Sequence, residues 1–128
     1  MARILIAEDD PMVRRTIAKG LATLRHDLLF VSDGIHAVDV LRCNPGFDLV
    51  ISDISMPLLD GRQLVGTLAR DPSLGGMPVL IMSGVVGVRD IADLLEMGAT
   101  KFLAKPLNMA VLREDVTHCL DLRSAGVR

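Results

Sequence analysis

Tryptophan and tyrosine are absent from this chain, and its aromatic complement is three phenylalanines in 128 residues. Stacking on bases or sugars needs exposed aromatic faces, so that mode of binding is almost excluded, and Phe30, Phe47 and Phe102 are expected to serve packing. Cysteine is scarce as well: Cys43 and Cys119 have no paired spacing, which excludes a disulfide framework or zinc-ligand pattern and fits reduced thiols behaving as small hydrophobes. An excess of positive charge is also missing. The 14 basic and 16 acidic side chains give a formal net charge of -2, too little cationic field to neutralise nucleic-acid phosphates, so no direct nucleic-acid partner is expected. No apolar run approaches the roughly 18 residues of a membrane span and no signal-peptide layout precedes the first apolar run; a cytoplasmic location without membrane contact is expected. Phosphate loops of the GxxxxGKS/T form, GxGxxG, the GxSxG elbow and HExxH are likewise absent. His26, His36 and His118 are scattered and read as surface or packing residues.

What is present is an ordinary globular composition, 50% hydrophobic and 23% charged, in a length that suits one domain with a core of its own. Apolar runs rich in Ile, Val and Leu occur at residues 3–7, 28–31, 47–52, 79–83 and 101–104. Continuous rather than alternating apolar residues predict strands buried on both faces. Between them lie helical spacings, with Val13, Ile17, Leu21 and Leu24, then Ile91, Leu94 and Leu95, then Val111, Leu112, Val116 and Leu120 recurring every three or four places. Asp10 before Pro11 predicts an N-cap with Pro at the first helical position, Ser32 and Asp33 predict a turn and cap, Gly98 closes the helix that Asp90 helps open, and DPSLGGMP breaks the chain before residue 79. Five alternations of strand and helix predict an α/β fold with a parallel five-stranded sheet and helices on both faces.

In such open sheets ligands bind beyond the carboxyl ends of the strands. The residues expected there are Glu8 and Asp9 after the first strand, Asp53 after the third, Ser83 after the fourth and Lys105 after the fifth. Carboxylates crowded at a strand end repel one another and resist desolvation, which a cation offsets. Oxygen donors of this kind suit Mg²⁺, and one carboxylate could then attack phosphorus while the lysine and hydroxyl stabilise the phosphoryl oxygens.

The stretches ILIAEDD, DLVISDISMPLLDG, PVLIMSG and GATKFLAKP resemble the receiver domain of bacterial two-component response regulators, across residues 3 to about 122. The resemblance implies a doubly wound, flavodoxin-like (CheY-like) three-layer sandwich, strand order 2-1-3-4-5, over residues 1–122, with 123–128 as a C-terminal tail. It implies that Asp53 takes a phosphoryl group from the histidine of a sensor kinase or phosphotransfer protein. It also implies Mg²⁺ held by Asp9 directly, Glu8 through water, Asp53, and the backbone carbonyl of Ser55. Asp10 falls one place later and reads as the helix cap. Ser83 and Lys105 correspond to the hydroxyl and ammonium on the phosphoryl group, Lys105–Pro106 to a peptide bond typically cis, and Met56, Pro57 and Gly61 to the loop around the site.

Several positions depart from the family pattern. Phe102 stands where a tyrosine is common, so a switch through Ser83 and Phe102 lacks a hydroxyl; Gly84 follows Ser83, and Leu107 replaces the aromatic after Lys-Pro. Ser55 and Val85 flank the path of an attacking water; Val85 cannot orient it, which implies slow to moderate self-dephosphorylation. GATKF lacks the acidic pair of regulators that dimerise through the fourth and fifth helices, so a monomer or weak dimer is expected. The fourth helix, fifth strand and fifth helix form the expected face for a downstream effector, with Asp93, Glu96, Lys101 and Arg113 as surface candidates. The implied function is a signalling switch rather than an enzyme, with weak autophosphatase activity only, either standing alone or as part of a larger protein. Two rivals stay open: a small Mg²⁺-dependent phosphohydrolase, disfavoured because Ser55 stands where a second acid is usual, and a pseudo-receiver that works without phosphorylation.

Overall fold

The computed structural model describes residues 1–84 and 88–124, apart from the side chains of Val88 and Ser124. Five strands, β1 (Arg3–Ala7), β2 (Asp27–Val31), β3 (Leu49–Asp53), β4 (Val79–Ser83) and β5 (Lys101–Ala104), alternate with α1 (Pro11–Leu21), α2 (Gly34–Cys43), α3 (Gly61–Arg70), α4 (Val88–Met97) and α5 (Met109–Ser124). All strand pairs are parallel, and the order is β2-β1-β3-β4-β5. The architecture is the doubly wound, flavodoxin-like sandwich expected from the sequence.

Alternate residues of the central strands feed two cores. Leu5, Val50 and Ile81 pack with Val38, Leu41, Leu64, Leu68 and Leu94 on the face of α2, α3 and α4. Ile4, Ile6, Leu49, Ile51, Leu80 and Met82 pack with Ile17, Leu21, Leu112, Val116 and Cys119 on the face of α1 and α5. Every residue of β3 and β4 is buried, which is why their apolar runs are unbroken.

The edges correct the expectation of strands buried throughout. β2 is an edge strand in which Asp27 and Leu29 are exposed while Val31 is buried, and it starts one residue earlier than the apolar run suggested. β3 begins at Leu49 rather than Phe47; just before it, the Asp48 carboxylate accepts from the Arg3 amide at 3.0 Å, and the Arg3 guanidinium lies 4.4 Å from the Phe47 ring centroid.

The starts of α1 and α2 follow the predicted caps. Asp10 accepts from the Met12 amide at 2.8 Å with Pro11 in the first turn, and Asp33 accepts from the His36 amide at 2.7 Å. Asp60 and Gln63 close a reciprocal capping box on α3. Gly98, at φ +125°, ends α4, a conformation a side chain would strain. Leu24 lies in a short 3-10 turn after α1, Ala22–Leu24. α5 continues through Ser124, so Arg123 and Ser124, expected in a tail beginning at 123, are helical. The rest of that tail, residues 125–128, lies outside the described residues, as does Val85.

Candidate functional site

Parallel strands present all their carboxyl ends at one edge, and the register fixes which residues meet there. Ala7 pairs with Ser52, Asp53 with Met82, and Ser83 with Ala104, so the residues that follow or end these strands converge. Glu8 is fully buried, Asp53 is 8% exposed and Ser83 is 4% exposed, while Asp9 is exposed. Glu8, Asp9 and Asp53 each offer a carboxylate oxygen, and these oxygens lie within 4.8 Å of one another.

Lys105 supplies the opposing charge. Its Nζ donates to Glu8 Oε1 at 2.9 Å and lies 3.3 Å from Asp53 Oδ1. The other oxygen of Glu8 accepts from the Asp10 amide at 3.1 Å. Burial pushes the Glu8 carboxyl above the usual carboxylate range, and the hydrogen bond from Lys105 only partly offsets it. Burial opposes the charge of Lys105 too, but its contacts with Glu8 and Asp53 outweigh that and raise its pKa.

The supporting backbone is hydrogen-bonded on every side. The Glu8 amide donates to the Val31 carbonyl at 2.9 Å, the Ile54 amide to the Met82 carbonyl at 2.9 Å, and the Lys105 amide to the Ser83 carbonyl at 2.8 Å. The Lys105–Pro106 peptide bond is cis. Gly61 packs so closely that a Cβ there would sit 2.5 Å from the Asp53 carbonyl oxygen and 2.7 Å from Ile54 Cα, so the turn after the site excludes any side chain at that position.

Of the other expected residues, Ser55 lies exposed in the bend after β3, and Phe102 is half-buried beside Ile81 on β5. Arg113 is not a free surface group: its guanidinium donates to the Gly20 carbonyl at 3.2 Å, tying α5 to α1. Lys101 pairs with Asp115 of α5 at 3.3 Å. No histidine belongs to the acidic cluster found among the described residues.

Three contributors escaped the sequence. Ser52 is fully buried and its hydroxyl donates to the Asp53 carbonyl at 2.9 Å. A Cβ on Gly34 would fall 2.1 Å from the Leu59 carbonyl oxygen, so a glycine there lets the start of α2 touch the end of the β3–α3 loop. Arg14 donates to the Glu8 carbonyl from its Nε and to Ser32 Oγ from its Nη2, the latter at 2.6 Å. The only local signal was a basic residue one turn after Asp10, which spacing alone cannot assign.

A sheet-edge cluster of acids faced by a lysine suits phosphoryl chemistry, and comparison with known proteins decides the family. Residues 4–117 match the response regulator receiver domain. The chain belongs to that family. Receiver domains of this type are signalling modules of two-component systems. The response regulator protein FleR of Pseudomonas aeruginosa is 35% identical over 112 residues, covering 87% of this chain and 23% of FleR; this receiver domain thus spans about a quarter of that relative's length. A chemotaxis protein CheY homolog of Campylobacter jejuni is 28% identical over 119 residues, covering 92% of both chains. Among solved structures, the signal receiver domain of a signal transduction histidine kinase from Syntrophus aciditrophicus matches with TM-score 0.85 and 33% identity over 94% of this chain and 91% of that one. Chemotaxis protein CheY4 of Vibrio cholerae shares the fold, with TM-score 0.84, 24% identity, and coverage of 93% and 98%. Among the described residues, no helix of this receiver domain is long and apolar enough to cross a membrane.

Proposed function

We propose that this receiver domain is a phosphorylation switch in which Asp53 accepts a phosphoryl group from a phosphohistidine of a sensor kinase or phosphotransfer protein. The observation that carries the reading is the convergence of Lys105 on Asp53, 3.3 Å apart, in an acidic cluster whose Glu8 and Asp53 are buried and whose Asp9 is exposed. A carboxylate oxygen of Asp53 attacks phosphorus, the P–N bond to the donor imidazole breaks, and an acyl phosphate is left on Asp53. Lys105 pairs with the added oxygens and the Ser83 hydroxyl donates to one of them.

Three carboxylate oxygens within 4.8 Å fit a hard divalent cation, and the residues assigned to Mg²⁺ are Asp9, Asp53, the Ser55 carbonyl, and Glu8 through water. Bound there, Mg²⁺ neutralises charge on the transferring phosphoryl group. The exposure of Asp9 supports its assignment as the direct acidic ligand, and both oxygens of Glu8 already accept hydrogen bonds.

Phosphorylation then shifts a pre-existing equilibrium of the α4, β5 and α5 face, read by a downstream effector. Phe102 on β5 is the side chain assigned to couple that face to Ser83. The module works in the cytoplasm as a monomer or weak dimer, without enzymatic turnover beyond weak autophosphatase activity. Acetyl phosphate tests both the cation and the class of function. One phosphoryl group per chain, lost from the reaction when a chelator is added, is the expected result. Sustained turnover of small phosphate esters would instead support a phosphohydrolase.

A further inference from the structure

We propose that Arg14 is a positioning residue for the acidic pair, holding the peptide between Glu8 and Asp9 so that both carboxylates stay aimed at the cation site. The inference rests on the Mg²⁺ reading given above. Arg14 lies in the first turn of α1, where its amide donates to the Asp10 carbonyl at 3.0 Å. Its guanidinium reaches back past the start of the helix. Nε donates to the Glu8 carbonyl, Nη2 donates to Ser32 Oγ at 2.6 Å, and the group lies 5.8 Å from the Phe30 ring centroid.

The consequence follows from peptide planarity. The Glu8 carbonyl and the Asp9 amide share one rigid plane that includes the Asp9 Cα. The amide of Glu8 is already fixed by the Val31 carbonyl at 2.9 Å. With Arg14 on the carbonyl, both backbone groups of Glu8 are held, and the plane that carries Asp9 is set. This matters for Asp9 above all: Glu8 has Lys105 and the Asp10 amide to orient its carboxylate, whereas Asp9 is exposed. A planar fork with donors in fixed directions suits the task, and a lysine ammonium cannot reproduce it. Arg14 thereby ties three segments together at the site: the end of β1, the first turn of α1, and the junction after β2.

Simple charge arithmetic and positioning predict opposite signs. Removing a cation beside a divalent-metal site should tighten Mg²⁺ binding by Coulomb's law; removing a group that holds the ligands should weaken it. The test is a Mg²⁺ titration of the full chain followed by amide NMR, on the wild type, Arg14→Ala, Arg14→Lys and Ser32→Ala. Arg14→Ala is expected to bind Mg²⁺ about tenfold more weakly, as losses of groups that orient metal ligands do. Its phosphorylation by acetyl phosphate should recover toward the wild-type rate as Mg²⁺ is raised to saturation. Arg14→Lys should not restore affinity, and Ser32→Ala should show a smaller loss of the same sign.

Unchanged or tighter binding in Arg14→Ala overturns the inference, and so does full rescue by lysine. If Arg14→Ala does not give a native amide spectrum, Ser32→Ala decides: wild-type affinity there overturns the inference. Wild-type protein that shows no Mg²⁺-dependent shifts would instead overturn the cation assignment itself, and the inference with it.

Discussion

Glu8 is a charged side chain with no exposed surface, and the chain tolerates it because Lys105 stands 2.9 Å away. Burial raises its pKa in the folded state above the usual value of about 4.5, so the native state binds a proton more readily there than the unfolded chain does. Its favourable contribution is therefore complete below about pH 4.5 and is lost as pH rises through the raised native value. Glu8→Gln mimics the protonated form. Its stability relative to wild type should grow as pH rises from about 4 to 7 in urea melts, while Mg²⁺ affinity falls; a difference that is flat with pH would contradict this. Gly61→Ala should act through crowding, since its Cβ must push against the Asp53 carbonyl at 2.5 Å. A loss of about 1–3 kcal/mol and slower phosphorylation are expected, measured by denaturant midpoint and acetyl-phosphate labelling. Glu8, Asp9, Asp53, Ser83 and Lys105 could be named from the sequence because each follows or ends an apolar run. Arg14, Ser52 and Gly34 could not, because their partners, Ser32 and the Glu8 carbonyl, the Asp53 carbonyl, and Leu59, are defined by the fold rather than by a spacing.

Among the elements, β4 was the most legible, found at the expected residues 79–83, since burial on both faces writes an unbroken apolar run. β2 was misread as fully buried because an edge strand with Leu28, Leu29, Phe30 and Val31 in sequence looks the same until its exposed side is known. α5 hid a different fact: its Arg113 turns to α1, and Lys101 of β5 is held by Asp115. The Lys101–Asp115 pair is partly exposed, so Asp115→Asn should change stability by no more than about 1 kcal/mol; a larger loss in urea melts would show a tighter coupling of β5 to α5. Asp71, at the end of α3, accepts from Ser73 and from Arg42 of α2, and these hydrogen bonds hold its carboxyl below the usual value of 3.8. Its contribution is present above that value and disappears as pH falls through the lowered one. Asp71→Asn should therefore lower the melting temperature near neutrality and converge with wild type in acid, as read by thermal melts across pH.

At the scale of the whole molecule, two thiols report on cooperativity. Cys43 is exposed and Cys119 is buried, and burial, with Asp115 adding to it, pushes the Cys119 thiol up to about 11, so it is neither accessible nor ionised at neutral pH. A thiol reagent should modify one cysteine per native chain and two after denaturation; rapid modification of both in the native state would show that the α1 and α5 side of the core opens independently. That core, with the opposite one, holds the strand ends in the register that brings Asp53 and Lys105 together. The measurement that reaches the phosphoacceptor directly is intact mass after incubation with acetyl phosphate and Mg²⁺, for wild type and Asp53→Asn. One added phosphoryl group on the wild type and none on Asp53→Asn is the expected result. An unmodified wild type, or a phosphoryl group that persists in Asp53→Asn, would contradict it.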